Sequence, residues 1–333
     1  MISALMSVAI CAALIWGWES ENPKSFYRNQ GKVFGTYFSI QYEAERDLLD
    51  SIQAAFCAFD NSLSMFNPNS TLSAINANRD TLTDEYFESM WAEAARVYEL
   101  SDGAFDITVA PLVNLWGFGL KNRTNVTEAQ IDSASALVGF DRVQLINHHI
   151  VKADSRMMLD GGAVAKGQAC DVIAALLERQ GCQNYLVEIG GEIVSHGHNS
   201  HGDQWRVGIT KPQEQSAGSQ QSELQDIIAV SHICMATSGN YRNFYYQGSE
   251  KRSHTIDPRT ARPVQHALLS ATVVSSSCMR ADALATACMV LGEQAALQMI
   301  DKAGDAACYL IIAQGDSMVV TTSNNWKETI ENN

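Results

Sequence analysis

The run Met279–Gly292, MRADALATACMVLG, restricts the fold more than any other stretch of the chain. Its spacing predicts a helix, and on that helix Asp282 and Thr286 stand four residues apart and share one face. Alanines flank both, which rules out a salt-bridged surface and leaves a carboxylate and a hydroxyl converging in a dry setting. Two such oxygens suit a hard cation such as Mg2+, which takes one or two carboxylates together with substrate phosphates. A buried aspartate satisfied by backbone amides also answers the pattern.

A helix of this kind needs a substantial core around it. The 333 residues, 46% of them hydrophobic, provide enough material for one large domain or two. The formal net charge of −14, from 37 acidic against 23 basic residues, excludes a nucleic-acid backbone as partner, because phosphate contacts need basic surface. An anionic ligand would need local help from a metal or from helix N-termini.

The first 18 residues carry no charged side chain and then meet Glu19 and Glu21, the pattern of a membrane-targeting leader. The segment is short for a spanning helix and lacks both a basic start and an A-x-A cleavage site. Ile10 stands before Cys11 where a lipoprotein needs a small residue. The expectation is an anchor at 1–18, a catalytic domain at 30–325, and a tether on the exported, periplasmic side of the inner membrane. The eight cysteines form no C-x-x-C pair and read as small buried hydrophobes.

Periodicity places the other elements. Gly31–Tyr42 alternates and reads as a strand; Leu48–Leu63 and Asp84–Leu100 read as amphipathic helices, the second stopped by Gly103. A helix runs from about Ala165 to Gln180, and strands follow at NYLVEIG and WRVGITK. Pro212–Asp226 is polar and reads as a loop. LLSATVVS reads as a strand, and CYLIIAQ with SMVVTTS as a closing hairpin. Strands and helices mix without a βαβ rhythm, so the class is α+β: one domain of mixed, largely antiparallel sheets packed with helices.

Further segments hold more glycine and small polar residues than a core requires. In SDGAFDITVAPLVNLWGFG, Gly103 permits close backbone approach, and Phe105 offers a ring between Asp102 and Asp106. In LDGGAVAKGQACD, a strand ends at Asp160 and a helix opens near Ala165, so backbone N–H groups face one point that suits a phosphate. Lys166 lies in the first turn, where a cation is disfavoured unless an anion is present; a tight strand-to-helix connection is the plainer account. In ATSGNYRNF, Ser238, Gly239 and Arg242 could hold a polar ligand edge. In HTIDPRTARPV, the two prolines stiffen the chain and hold Asp257 and Arg262 extended. HGHNSHGD brings His196, His198 and His201 close enough to share a soft metal, although solvated histidines on a glycine-rich turn are the commoner meaning.

Taken together with GTYFSI, LSMFNPNSTLSAIN, NYLVEIGGEI and ADALATACMVLG, these segments stand in one order from about Gly31 to about Ala313. In that order the chain resembles the FAD:protein FMN transferases, the ApbE-type flavin transferases. The resemblance implies a chain that binds FAD and Mg2+, breaks the FAD pyrophosphate and joins FMN to a Thr or Ser hydroxyl of an acceptor protein, here a membrane redox subunit, with release of AMP. It implies that Phe34 and Phe66 border the flavin or adenine, that Gly103, Ala104 and Phe105 line the nucleotide, and that Asp160, His254 and Asp257 meet FAD. The Ala163 carbonyl, Asp282 and Thr286 would hold the metal, Lys166 would answer growing charge, and His254 would be the base, with Asp257 its rival. An FAD pyrophosphatase and a non-catalytic flavin-binding protein are the alternatives.

Three positions depart from the family pattern: Ala261 replaces a usual Gly, Phe66 a frequent Tyr, and Asn240 a frequent Asp. A positive backbone angle at Ala261 would be strained.

Overall fold

The computed structural model describes residues 24–119, 126–212, 223–240, 244–247, 250–315 and 317–332. The expected leader at 1–18 and Arg242 lie outside the described residues.

Eight strands form one sheet. Its spatial order is Ser25–Val33, Thr36–Ala44, Tyr185–Ile189, Glu192–His196, Ile233–Gly239, Leu268–Val274, Ala307–Gln314 and Ser317–Thr322. Each neighbouring pair runs antiparallel. The Ala307–Gln314 strand is buried on both faces: Cys308, Leu310 and Ile312 enter the core under the helices, while Ala307, Tyr309 and Ile311 enter a second core on the opposite side. A hairpin of Trp205–Thr210 and Leu224–Val230, together with Trp326, covers that second face.

The first face carries the helices Leu49–Leu63, Glu85–Leu100, Ala165–Arg179, Cys278–Leu291 and Glu293–Ala303. Asp84 caps the second of these, its side chain accepting the Phe87 N–H. Cys278–Leu291 is buried nearly all round, as its alanine-rich composition requires, and packs between the sheet and the helices Glu85–Leu100 and Ala165–Arg179. Each fully buried Leu or Met on it contributes about 1.5–3 kcal/mol. Close approach is possible because Gly167 has no side chain: a Cβ there would lie 2.3 Å from the Cys278 carbonyl oxygen.

Three expected elements change, one of them the strand expected to end at Asp160, since the stretch 153–160 is not a strand. Gly31–Tyr42 is not one strand but the inner part of a hairpin, turned at Phe34 (φ 50°) and Gly35 (φ 75°) with Val33 opposite Thr36. Two positive angles in a two-residue loop match the twist of the paired strands. Phe34 tolerates its angle because its ring is held, 5.6 Å from Phe56 and 5.5 Å from Phe59 between centroids. The third change is at Leu224–Asp226, which belongs to a strand and not to the polar loop. Cys57 is exposed, against the expectation of burial, while the other described cysteines are buried or half-buried and all are free.

Candidate active site

The helices Ala165–Arg179 and Cys278–Leu291 meet the sheet at the ends of Glu192–His196 and Ile233–Gly239, and a cavity of about 660 Å³ opens there. That volume lies within the range of small-molecule and cofactor sites. Segments distant in sequence converge on it: Ala104, Phe105, Asp160, Ala163, Lys166, Ser238, Gly239, His254, Asp282 and Thr286 all line its wall.

At its centre is a three-residue charge cluster. The Lys166 Nζ stands 3.0 Å from Glu192 Oε1 and 3.6 Å from Asp282 Oδ2. Both carboxylates are buried, while about a third of the Lys166 side chain (32%) remains exposed. Burial by itself would lower the ammonium pKa, but the charges of Asp282 and Glu192 outweigh it and hold it above its ordinary value. Burial pushes the Glu192 carboxyl pKa upward, while the Lys166 ammonium 3.0 Å away opposes the rise and favours the carboxylate form. Asp282 Oδ2 also accepts the backbone N–H of Gly167 at 3.0 Å, so the amide-satisfied reading of this aspartate is partly met. One turn further along, Thr286 Oγ1 lies 3.2 Å from Ser238 Oγ.

Here the expectation for Lys166 is corrected. The anions that make a cation tolerable in the first helical turn are the protein's own Asp282 and Glu192. The amides expected to stand open are also largely engaged: Val164 and Ala165 donate to the Gly161 carbonyl, Gly162 to Asp160 Oδ1 at 2.8 Å, and Gly167 to Asp282. Glu192 was not singled out by sequence reasoning. Its signal was the acid directly after two glycines in EIGGEI, at the head of a strand.

Asp160 lines the cavity, and burial raises its carboxyl above the ordinary range against the opposing Gly162 N–H. Phe105 is buried beneath the wall, its N–H donated to Ser101 Oγ at 3.0 Å. Gly103 (φ 75°) ends the helix before it and stands outside the lining, which begins at Ala104. Phe34 and Phe66 are not in the lining either: Phe34 packs in the hairpin turn, and Phe66 is 78% exposed.

The stiff segment from His254 divides its work. His254, Thr255, Ile256 and Pro258 face the cavity, and the His254 ring stands edge-on to Phe118 at 6.3 Å. Asp257 turns away: it pairs with Arg262 across a short ladder, and its carboxylate binds the Arg259 guanidinium at 2.9 Å and 3.0 Å. That removes Asp257 from the geometry expected of a base. Ala261 does adopt the feared positive angle (φ 59°), held by its N–H to the Asp257 carbonyl and by Trp116 Nε1 donating to its own carbonyl at 3.0 Å. Asn240 is buried and accepts the Thr255 hydroxyl at 2.6 Å, a contact that an amide oxygen makes without charge.

Ala163, Asp282 and Thr286 all line the cavity, and a carboxylate and a hydroxyl are oxygen donors of the kind that Mg2+ takes. Among the described residues no group of three or more His, Cys, Asp or Glu side chains is placed to hold a metal. In the histidine-rich turn, His196 Nδ1 meets the Gln183 carbonyl at 2.7 Å.

Fold and site together define an α+β protein with a cofactor-sized cavity of mixed polar and apolar lining at the ends of two central strands of an antiparallel sheet. The ApbE family model matches residues 34–310, and the chain belongs to that family. It is 34% identical to the FAD:protein FMN transferase of Vibrio cholerae over 92% of this chain and 93% of that protein. It is 32% identical to the FAD:protein FMN transferase of Haemophilus influenzae over 99% and 98%. The solved flavin transferase ApbE from Vibrio cholerae superposes with a TM-score of 0.82 at 33% identity, covering 92% of this chain and 99% of that one.

Proposed function

We propose that this chain is an enzyme that transfers FMN from FAD to a Thr or Ser hydroxyl of an acceptor protein and releases AMP. The observation that carries the reading is the convergence of Lys166, Asp282, Thr286 and His254 on one cavity of dinucleotide size, in a chain whose relatives are named FAD:protein FMN transferases.

In this reading the acceptor oxygen attacks the FMN-side phosphorus of FAD. The P–O bond to the bridging oxygen breaks, and AMP departs with that oxygen and the electron pair. His254, facing the cavity, takes the hydroxyl proton. Lys166 sets a positive charge beside the pyrophosphate, and the buried setting strengthens it. Ala163, Asp282 and Thr286 would hold Mg2+, which when bound neutralises pyrophosphate oxygens.

The uncharged residues 1–18 support a tether that would set the cavity beside membrane-bound redox subunits on the exported face. Incubation with FAD, Mg2+ and a candidate acceptor, followed by intact-mass analysis, tests the activity. The acceptor is expected to gain one FMN, and to gain none with EDTA present. Formation of free FMN and AMP with an unchanged acceptor would make the protein a pyrophosphatase.

A further inference from the structure

Glu192 is the most deeply buried ionisable group beside the reactive centre after Asp282, at 2% exposed, and one of its oxygens is unused. Oε1 receives the Lys166 ammonium at 3.0 Å, while Oε2 is buried without a hydrogen-bond partner. The two-glycine turn before it brings Oε2 near the backbone, 3.3 Å from where a Cβ on Gly190 would stand, with Gly190 and Gly191 both at positive φ. An unpartnered buried carboxylate oxygen costs free energy unless a donor reaches it in some working state.

The donor already at this carboxylate is Lys166. Its ammonium is shared unequally, 3.0 Å from Glu192 and 3.6 Å from Asp282. A divalent cation at Asp282 would repel that ammonium, and a lysine with no other acceptor would compete with the cation for the same carboxylate. Resting on the flavin-transfer reading above, we propose that Glu192 is a positioning residue that draws Lys166 off Asp282, so that one cavity can hold a divalent cation and the lysine together. The vacant Oε2 is the place onto which the ammonium moves when Asp282 is taken. Glu192 itself need touch neither FAD nor acceptor.

The test uses the full chain and isothermal calorimetry of Mg2+ binding, with Mn2+ as a spectroscopic probe, on wild type, Glu192→Gln, Lys166→Met and the double variant. Glutamine keeps the shape and an acceptor oxygen but loses the charge that holds the ammonium. In Glu192→Gln the Mg2+ dissociation constant is expected to rise about tenfold, the scale of one charge-assisted hydrogen bond. In the Lys166→Met background, with no competitor to restrain, the same substitution should change it by less than about twofold. FAD affinity in EDTA and the thermal midpoint of each variant identify loss of folding.

Two outcomes overturn the inference alone: wild type binds Mg2+ and Glu192→Gln binds it equally well, or Glu192→Gln weakens binding by the same factor with and without Lys166. The second outcome would mean that Glu192 acts on the cation directly. A wild-type protein that binds no Mg2+ with FAD present would overturn both the inference and the functional reading.

Discussion

The backbone N–H of Gly167 donates to Asp282 Oδ2 at 3.0 Å, joining the first turn of one buried helix to the middle of the next. The clamp is reciprocal: Asp171, one turn along the first helix, accepts the N–H groups of Cys278 and Met279 at 2.9 Å each, at the start of the second. Two helices are thus locked in register by groups that are otherwise orphaned at helix starts, and Lys166 and Asp282 face each other as a consequence.

Gly167→Ala should break this crossing. The added Cβ would lie 2.3 Å from the Cys278 carbonyl oxygen and 2.9 Å from the Asp282 Cβ, and backbone cannot move aside cheaply. Overpacking of this kind costs about 1–3 kcal/mol or more. Thermal unfolding should show a clear fall in Tm together with weakened FAD binding.

Asp171→Asn should destabilise by about 1–3 kcal/mol, because an amide nitrogen would then face a backbone N–H. The pH dependence has a definite sign. Burial raises the Asp171 pKa from 3.8 to about 6, so its protonated form suits the fold better than its ionised form. The associated stabilisation is full below pH 3.8 and is lost as pH rises through about 6. Denaturant titrations should therefore show wild type losing stability relative to the non-titrating Asn variant across that window. A gap that widens with pH would mean that the carboxylate is favoured by the fold.

Asp282→Ala should lower FMN transfer by about a hundredfold or more, the scale for removing a charge-positioning group from a buried site. Thr286→Ala should cost about tenfold or less, since water can replace a neutral hydroxyl and Ser238 stands 3.2 Å away. Raising Mg2+ should rescue the threonine variant in part and the aspartate variant hardly at all. Steady-state rates across an Mg2+ series would separate the two.

Ala261 tests strain against packing. Its φ of 59° costs about 1 kcal/mol for a residue with a Cβ, and glycine would relieve it. The same methyl is buried in a cluster with Leu112, Trp116, Ile131 and Ile256 and contributes about 0.8 kcal/mol. The terms nearly cancel, so Ala261→Gly should leave Tm almost unchanged. Ala261→Val, β-branched at a positive angle, should lower it markedly.

What the sequence determined by itself is what depends on neighbours in the chain. The helices Leu49–Leu63, Glu85–Leu100 and Ala165–Arg179 stand within a residue of their periodic patterns, because apolar spacing and terminal residues act over one or two turns. The buried alanine-rich helix was equally legible, since its composition permits no solvated face. The Phe34–Gly35 turn was not, because alternation runs through a two-residue loop without a break and phenylalanine is an unusual occupant of a positive angle. Nor was the centre of the site. Gly167 and Asp282 are 115 positions apart, and Lys166 meets Glu192 only because a helix lies across the head of a particular strand. Which acid neutralises which base depends on Coulomb attraction over a few ångströms, and those distances exist only after the helices have packed on the sheet. Asp257 differs in kind: its type and its place in the chain suited a catalytic carboxylate, but a local contact with the backbone N–H and guanidinium of Arg259, two residues on, engages it instead.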